Sequence, residues 1–312
     1  MRFRQLGSSG LTVSVVGLGA NNFGWRLDVQ QSRPVVEAAL DAGINLVDTS
    51  DSYDQGNSEQ ILGEVLRGRR DEVVIATKFG SDMEGSNGPD WNARASRRYV
   101  VKAVEASLRR LQTDWIDLYQ LHRPDGLTPL EETLGTLDDL VRQGKIRYAG
   151  SSNLSAWQVA ESAWIAKTRG LTSFVSAQNH YSLLERKVEL DLVPACLAHG
   201  VSVIPYFPLA NGLLTGKWKR GVAAPETSRL SGRRTPSDAV FDVIEGLTAL
   251  ADKAGIGLAE LAVAGLAAQP SVASVIAGAM SVEQVRSNAA AGDLDLSPEI
   301  LAEIDRVAPA LR

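Results

Sequence analysis

With 312 residues, 44% of them hydrophobic and 22% charged, the chain has the composition of a soluble globular protein, long enough for two domains or one large α/β barrel. Its 32 Lys and Arg against 37 Asp and Glu leave a formal charge of −5, and no basic run is long enough to follow a phosphate backbone, which argues against a nucleic-acid partner. The single cysteine, Cys196, excludes an internal disulfide and any thiolate metal cluster, and no stretch approaches the ~18–20 apolar residues of a membrane span.

The chain opens with extended pieces over 2–5 and 11–16 around Gly7-Ser8-Ser9-Gly10, the pattern of a β-hairpin. A first core strand over 15–20 follows, with Gly17 and Gly19 where packing or a ligand comes close. Helix and strand then alternate: helices over 34–42, 58–67 and 96–111 precede strands over 44–48, 73–77 and 116–121. Helices over 130–142, 156–169 and 190–199 precede strands over 146–151, 174–178 and 201–206, the last ended by Pro205 and Pro208. A Gly-, Arg-, Ser- and Thr-rich segment over 210–238 breaks the rhythm. Helices over 239–253 and 258–268, an eighth strand over 272–277, and helices over 282–291 and 298–307 complete the chain. Eight strands with intervening helices predict a single (β/α)₈ TIM barrel over 1–312, with an N-terminal β-hairpin and an extra C-terminal helix.

Three strands end in residues that are costly to bury. Asp48 closes the run Asn45-Leu46-Val47, Lys78 follows Val73–Thr77, and His122 follows Ile116–Leu121. An unpaired charge at a core margin costs several kcal/mol, so Asp48 and Lys78 are expected to be partners. On the barrel count these residues end strands two, three and four, neighbours around the mouth where catalytic groups gather. Tyr53 follows Asp48 by five positions on a loop. A Lys78 ammonium beside Tyr53 favours its phenolate, so a phenol tuned from ~10 toward neutrality could pass a proton to a carbonyl oxygen that His122 orients. Taken singly, Asp48 also reads as a turn or helix cap and His122 as a core histidine.

The segments Val47-Asp48-Thr49-Ser50-Asp51-Ser52-Tyr53, Thr77-Lys78-Phe79-Gly80 and Leu118-Tyr119-Gln120-Leu121-His122 resemble, in order, three signatures of the aldo-keto reductase family. The opening Leu6–Ser14 and Gly150-Ser151-Ser152-Asn153 are similar as well, so the likeness spans nearly the whole chain. It implies an oxidoreductase that reduces aldehydes or ketones to alcohols with NADPH/NADP+, NADH being the other possible coenzyme. Asp48, Tyr53, Lys78 and His122 would form its catalytic tetrad, with Tyr53 as acid and base. Such enzymes bind the coenzyme at the barrel mouth without a Rossmann domain, and no Gly-x-Gly-x-x-Gly strand-to-helix fingerprint occurs here.

The resemblance also assigns coenzyme contacts. Gly19 lies on the first strand. Ser152, Asn153 and Gln178 match the positions that hold the carboxamide, and Tyr206 the aromatic ring that stacks on the nicotinamide. Ser152-Asn153 equally reads as a cap for the next helix. Phe207, Pro208, Leu209, Asn211, Gly212 and Lys217 belong to the segment beneath the pyrophosphate, where backbone amides and a lysine suit an anion. Arg229, with Arg233 and Arg234, lies farther along the same segment, and a solvated basic loop is the competing reading. Gly278, Gln284 and Asn288 match the adenosine site. Met280 stands where a hydroxyl or basic residue is common and Ser287 where an acid is common, which leaves NADP(H) preference over NAD(H) open, with Arg286 able to compensate if it points inward.

For the substrate, a small carbonyl or alcohol, Asn22, Phe23, Trp25 and Trp91 supply candidate walls on loops; anchoring is the alternative for the two tryptophans. No metal is expected, because His122, His180 and His199 show no paired ligand spacing. A Schiff-base aldolase using Lys78 would need neither Asp48 and Tyr53 at this spacing nor the coenzyme segments. A coenzyme-sensing regulatory or binding protein on the same fold is the alternative of a different class. The N-terminus has no apolar signal core, so a cytoplasmic location is the default, while monomer and homo-oligomer both stay open.

Overall fold

The computed structural model describes residues 1–222 and 235–310; the expected contact Arg229, with Arg233 and Arg234, lies outside the described residues. The apolar runs become eight parallel strands: β3 (Val16–Gly19), β4 (Leu46–Asp48), β5 (Val74–Phe79), β6 (Ile116–Leu121), β7 (Ile146–Ser152), β8 (Phe174–His180), β9 (Ser202–Tyr206) and β10 (Val275–Gly278). They pair in the order β10-β3-β4-β5-β6-β7-β8-β9. Val203 of β9 closes the ring, donating to Ser271 O (2.8 Å) and accepting from the Ala273 amide (3.2 Å). The result is the predicted (β/α)₈ barrel.

Its lower end is sealed by the hairpin β1 (Phe3–Gln5) and β2 (Thr12–Ser14), paired antiparallel. Leu6 and Val13 of this hairpin pack with Leu46, Ala76, Leu118, Ile204 and Ile276 from the barrel interior. The turn requires glycine at position 7, where φ is +58° and a Cβ would lie 2.4 Å from Val175 O. With that end plugged, ligands reach the interior from the opposite mouth, where the strands end.

Helices α1 (Val29–Asp41), α2 (Asn57–Val65), α3 (Arg97–Leu111), α4 (Leu130–Arg142), α5 (Ala156–Arg169), α6 (Leu192–Ala198), α8 (Leu258–Ala267) and α9 (Val282–Asp293) surround the strands. Two helices stand outside this ring: α7 (Asp238–Ala254) and the C-terminal α10 (Pro298–Val307), with Val307 seated against Gly246 of α7. One boundary differs substantially from expectation. Helix α1 begins at Val29, five residues before Pro34, because Asp28 caps Gln31 N while the Gln31 side chain returns to the Asp28 amide. Strand β5 runs through Phe79, so Lys78 lies within the sheet and its whole side chain must be accommodated inside the barrel.

Candidate active site

Asp48 is the last residue of β4, and Lys78 lies on β5, which pairs with it. Both are buried, and the Lys78 Nζ donates to Asp48 Oδ2 (2.7 Å), Thr49 O (2.8 Å) and Tyr53 Oη (3.2 Å). These partners use all three ammonium donors. The other carboxylate oxygen, Asp48 Oδ1, accepts from Gln178 Nε2 (2.7 Å) and Gln120 Nε2 (3.4 Å). The pair is therefore satisfied on both sides, which is what allows a charge pair to persist inside a barrel. Burial works against the ammonium, but Asp48 and then Tyr53 outweigh it and hold the Lys78 pKa above its ordinary value.

Tyr53 stands on the turn after β4, followed by Asp54 and Gln55 with φ of 49° and 53°. Its hydroxyl oxygen accepts from Lys78, so its own proton remains available to a ligand. The expectation of a phenol tuned toward neutrality is corrected here. Burial raises the Tyr53 pKa above 10 despite the Lys78 charge, and Asp48 adds to the rise. Sequence spacing displays the sign of a neighbouring charge but not the depth at which the phenol sits. The Tyr53 of this structure is a neutral proton donor.

His122 follows β6, its amide continuing the sheet through a bond to Phe79 O (2.7 Å). Its ring stands 6.1 Å from that of Tyr53, edge to face at 79°. Burial, then the charges of Lys78 and Arg123, push the imidazole pKa down to about 3, so the ring is neutral throughout the physiological range. Its Nδ1 lies 2.9 Å from Ser81 Oγ and 3.1 Å from Ser50 Oγ. With the Ser50 proton given to Asp51, a Ser81 hydroxyl donating to Nδ1 favours the tautomer with the proton on Nε2, the ring edge left for a ligand. These serines were not singled out in the sequence. A hydroxyl beside a strand end carries no distinguishing signal.

With Lys78 buried behind them, Asp48, Tyr53 and His122 line a cavity of about 1040 Å³ at the C-terminal mouth. That exceeds the space usual for one small ligand, so a dinucleotide and a small substrate can share it. The structure places every described coenzyme candidate on its wall: Gly19 on β3, Ser152 and Asn153 at the end of β7, Gln178 on β8, and Gly278 at the end of β10. Tyr206, Phe207, Pro208, Leu209, Asn211, Gly212 and Lys217 form the wall beyond β9, and Gln284 and Asn288 the wall on α9. The Tyr206 hydroxyl donates to Asn153 Oδ1 (2.8 Å), and Asn153 Nδ2 donates to His122 O (3.1 Å), tying three strand ends together. Convergent amide and hydroxyl groups near the tetrad, an aromatic ring and a distant cation fit a nicotinamide dinucleotide.

The four candidate substrate residues separate. Asn22 lines the cavity, whereas Phe23 is wholly buried in the main hydrophobic core and does not face it. Trp25 is 55% exposed, its indole N–H bonded to Asn21 O, and Trp91 is 69% exposed beneath the Arg98 guanidinium. Neither tryptophan is on the wall. Loop aromatics can turn three ways, and only the turn geometry decides among them. Arg26, Arg94, Arg123 and Trp218 are on the wall and were not assigned from sequence.

Behind the tetrad, Asp51 and Glu59 are both completely buried. Glu59 accepts from Arg110 Nε (2.7 Å) and Thr77 Oγ1 (2.5 Å). Asp51 has no cation bonded to it: it accepts from Ser50 Oγ (3.2 Å), Asn87 Nδ2 (3.4 Å) and the Ser52 amide. Burial and the Glu59 charge push its carboxyl up to about 8, with Arg110 opposing. Through Ser50, this acid is linked to His122.

The model of the Aldo/keto reductase family matches residues 15–309. The chain belongs to the aldo/keto reductase family. It is 37% identical to a probable voltage-gated potassium channel subunit beta of Arabidopsis thaliana, covering 98% of this chain and 96% of the relative. It is 36% identical to the versiconal hemiacetal acetate reductase of Aspergillus parasiticus, covering 96% and 94%. An aldo-keto reductase of Alternaria alternata is 35% identical, covering 95% and 89%. This family member thus resembles proteins named as reductases and others named as channel subunits at nearly equal identity.

Proposed function

We propose that this chain is an NADP(H)-dependent oxidoreductase that interconverts small aldehydes or ketones and their alcohols in the cytoplasm. The observation that carries the reading is the Lys78–Tyr53 hydrogen bond, which holds the phenol oxygen from behind and leaves its proton for the cavity. A nicotinamide coenzyme held in this cavity would supply the hydride for the carbonyl carbon. Tyr53 gives its proton to the carbonyl oxygen, forming the alcohol and leaving a phenolate that the Lys78 ammonium stabilises. Asp48 fixes that ammonium, and the neutral His122 donates from Nε2 to the same oxygen. Alcohol oxidation runs through the same groups in reverse.

Ser152, Asn153 and Gln178 would hold the carboxamide, Tyr206 would stack on the nicotinamide ring, and Lys217 would meet the pyrophosphate. The test pairs intrinsic-fluorescence titration with NADPH and NADH against turnover of an aldehyde and ketone panel, for wild type and Tyr53→Phe. Turnover should fall by roughly 10²–10⁴-fold in the variant while coenzyme binding persists. Failure of the wild type to bind either nucleotide sinks the reading. Binding of NADPH without turnover of any carbonyl supports instead a coenzyme-sensing regulatory or binding protein, an alternative kept because some relatives are named as channel subunits and not as reductases.

A further inference from the structure

The wall of the cavity around the start of α9 is short of the groups that usually meet an anion there. Met280 offers only a thioether, and its backbone N–H is already given to Gln284 Oε1 (2.8 Å). Arg286, the cation nearest in sequence, is exposed beside Glu283 and is not on the cavity wall. The chain nevertheless places a guanidinium at this spot from another loop.

Arg26 lies between β3 and α1, strands β3 and β10 being neighbours in the sheet. The loop around it is anchored: Phe23 is buried in the core, and the amides of Arg26 and Leu27 both donate to Asn22 O (3.1 Å). The Arg26 side chain lines the cavity with Cζ 4.2 Å over the Trp25 ring and Nη1 3.8 Å from Met280 Sδ. Among the described residues no carboxylate lies within ion-pair reach of it, whereas Arg94 on the same wall is held by both Asp82 and Asp90. A thioether is a weak acceptor, easily displaced, and a guanidinium binds phosphate through two parallel N–H bonds.

We propose that Arg26 selects the coenzyme, its guanidinium binding the ribose phosphomonoester that distinguishes NADPH from NADH. The proposal rests on the coenzyme reading of this cavity and assigns to the β3–α1 loop the discrimination that position 280 lacks the chemistry to perform. Trp25 supports the planar guanidinium from one face, and Met280 supports it until the phosphate arrives.

The experiment is calorimetric titration of the full chain with NADPH, NADH, adenosine 2′,5′-bisphosphate and 5′-AMP, for wild type, Arg26→Ala and Arg26→Lys. The Kd for NADPH and for the bisphosphate should rise by roughly 10- to 100-fold in the alanine variant, with the Kd for NADH and 5′-AMP unchanged and partial recovery by lysine. Raised salt should weaken NADPH in the wild type more than in Arg26→Ala. Equal weakening of NADPH and NADH, or no change in either, overturns the proposal while leaving the coenzyme reading in place. Wild-type protein that binds none of the four overturns both.

Discussion

Replacing Asp51 by asparagine should change how the stability of this protein depends on pH. The native carboxyl, completely buried, is raised to about 8 by burial and the Glu59 charge. In the unfolded chain an aspartate titrates near ~3.9. Between those values the native state holds a proton that the unfolded state has released. A raised native pKa contributes stability that is complete below about pH 4 and is lost as pH rises, at ~1.4 kcal/mol per unit, until the native group itself ionises. The full span is on the order of 5 kcal/mol. Asp51→Asn keeps the shape and neutrality of the protonated acid but removes the titration. Urea midpoints measured from about pH 5 to pH 7.5 should therefore diverge, the variant gaining on wild type by ~1.4 kcal/mol per pH unit. Parallel curves for the two proteins would mean that Asp51 is ionised in the fold, and that Arg110 is shared between two carboxylates after all.

Lys78→Met should leave the buried Asp48 carboxylate without its cation, destabilising by about 3–5 kcal/mol in urea; recovery in the double variant with Asp48→Asn separates charge imbalance from lost packing, and no recovery would refute the ion-pair account. The rate of carbonyl reduction should stay level across neutral pH and fall only in alkali beyond the ordinary tyrosine range, because burial raises the Tyr53 pKa, while alcohol oxidation rises with pH over the same range. An inflection near pH 7 in kcat/KM would contradict both the raised Tyr53 pKa and the neutral His122.

Asp48, Lys78 and His122 were legible because a charged or polar residue ending an apolar strand is expensive, and such residues are retained where something uses them. Barrel topology then converted their order along the chain into adjacency around the mouth. The start of α1 was also written in the chain, since Asp28-x-x-Gln31 is a capping box, but Pro34 is the louder signal and drew the boundary to itself. Ionisation was less accessible. The charge beside Tyr53 could be inferred from spacing, whereas the competing cost of burial needed the depth of the phenol. The Asp51–Glu59–Arg110 group draws on the β4–α2 loop, α2 and α3, three elements whose convergence no local pattern reports. Aromatic loop residues were the weakest guide: Phe23 turned into the core and Trp25 and Trp91 toward solvent, though all three look alike on a loop.

The backbone itself marks the same end of the barrel. Among the described residues, ten other than glycine have positive φ, and all but the helix-ending Gln112 lie on loops that leave the C-terminal ends of β4, β5, β7 and β9. Asparagine and aspartate tolerate that conformation, but Phe207 (φ 54°) and Ala210 (φ 48°) do not adopt it cheaply. Such strain persists only where the surroundings determine it. Here they do: the Tyr206 hydroxyl is tied to Asn153, His180 stacks on the Tyr206 ring at 5.5 Å and 9°, and Phe207 meets both rings edge-on. Burial lowers the His180 pKa, so this stack holds a neutral ring behind Tyr206 and brings no second positive charge to the face proposed for an oxidised nicotinamide. A barrel sealed and relaxed at its hairpin end, and strained at its mouth, places its conformational cost where a ligand can draw on a fixed geometry.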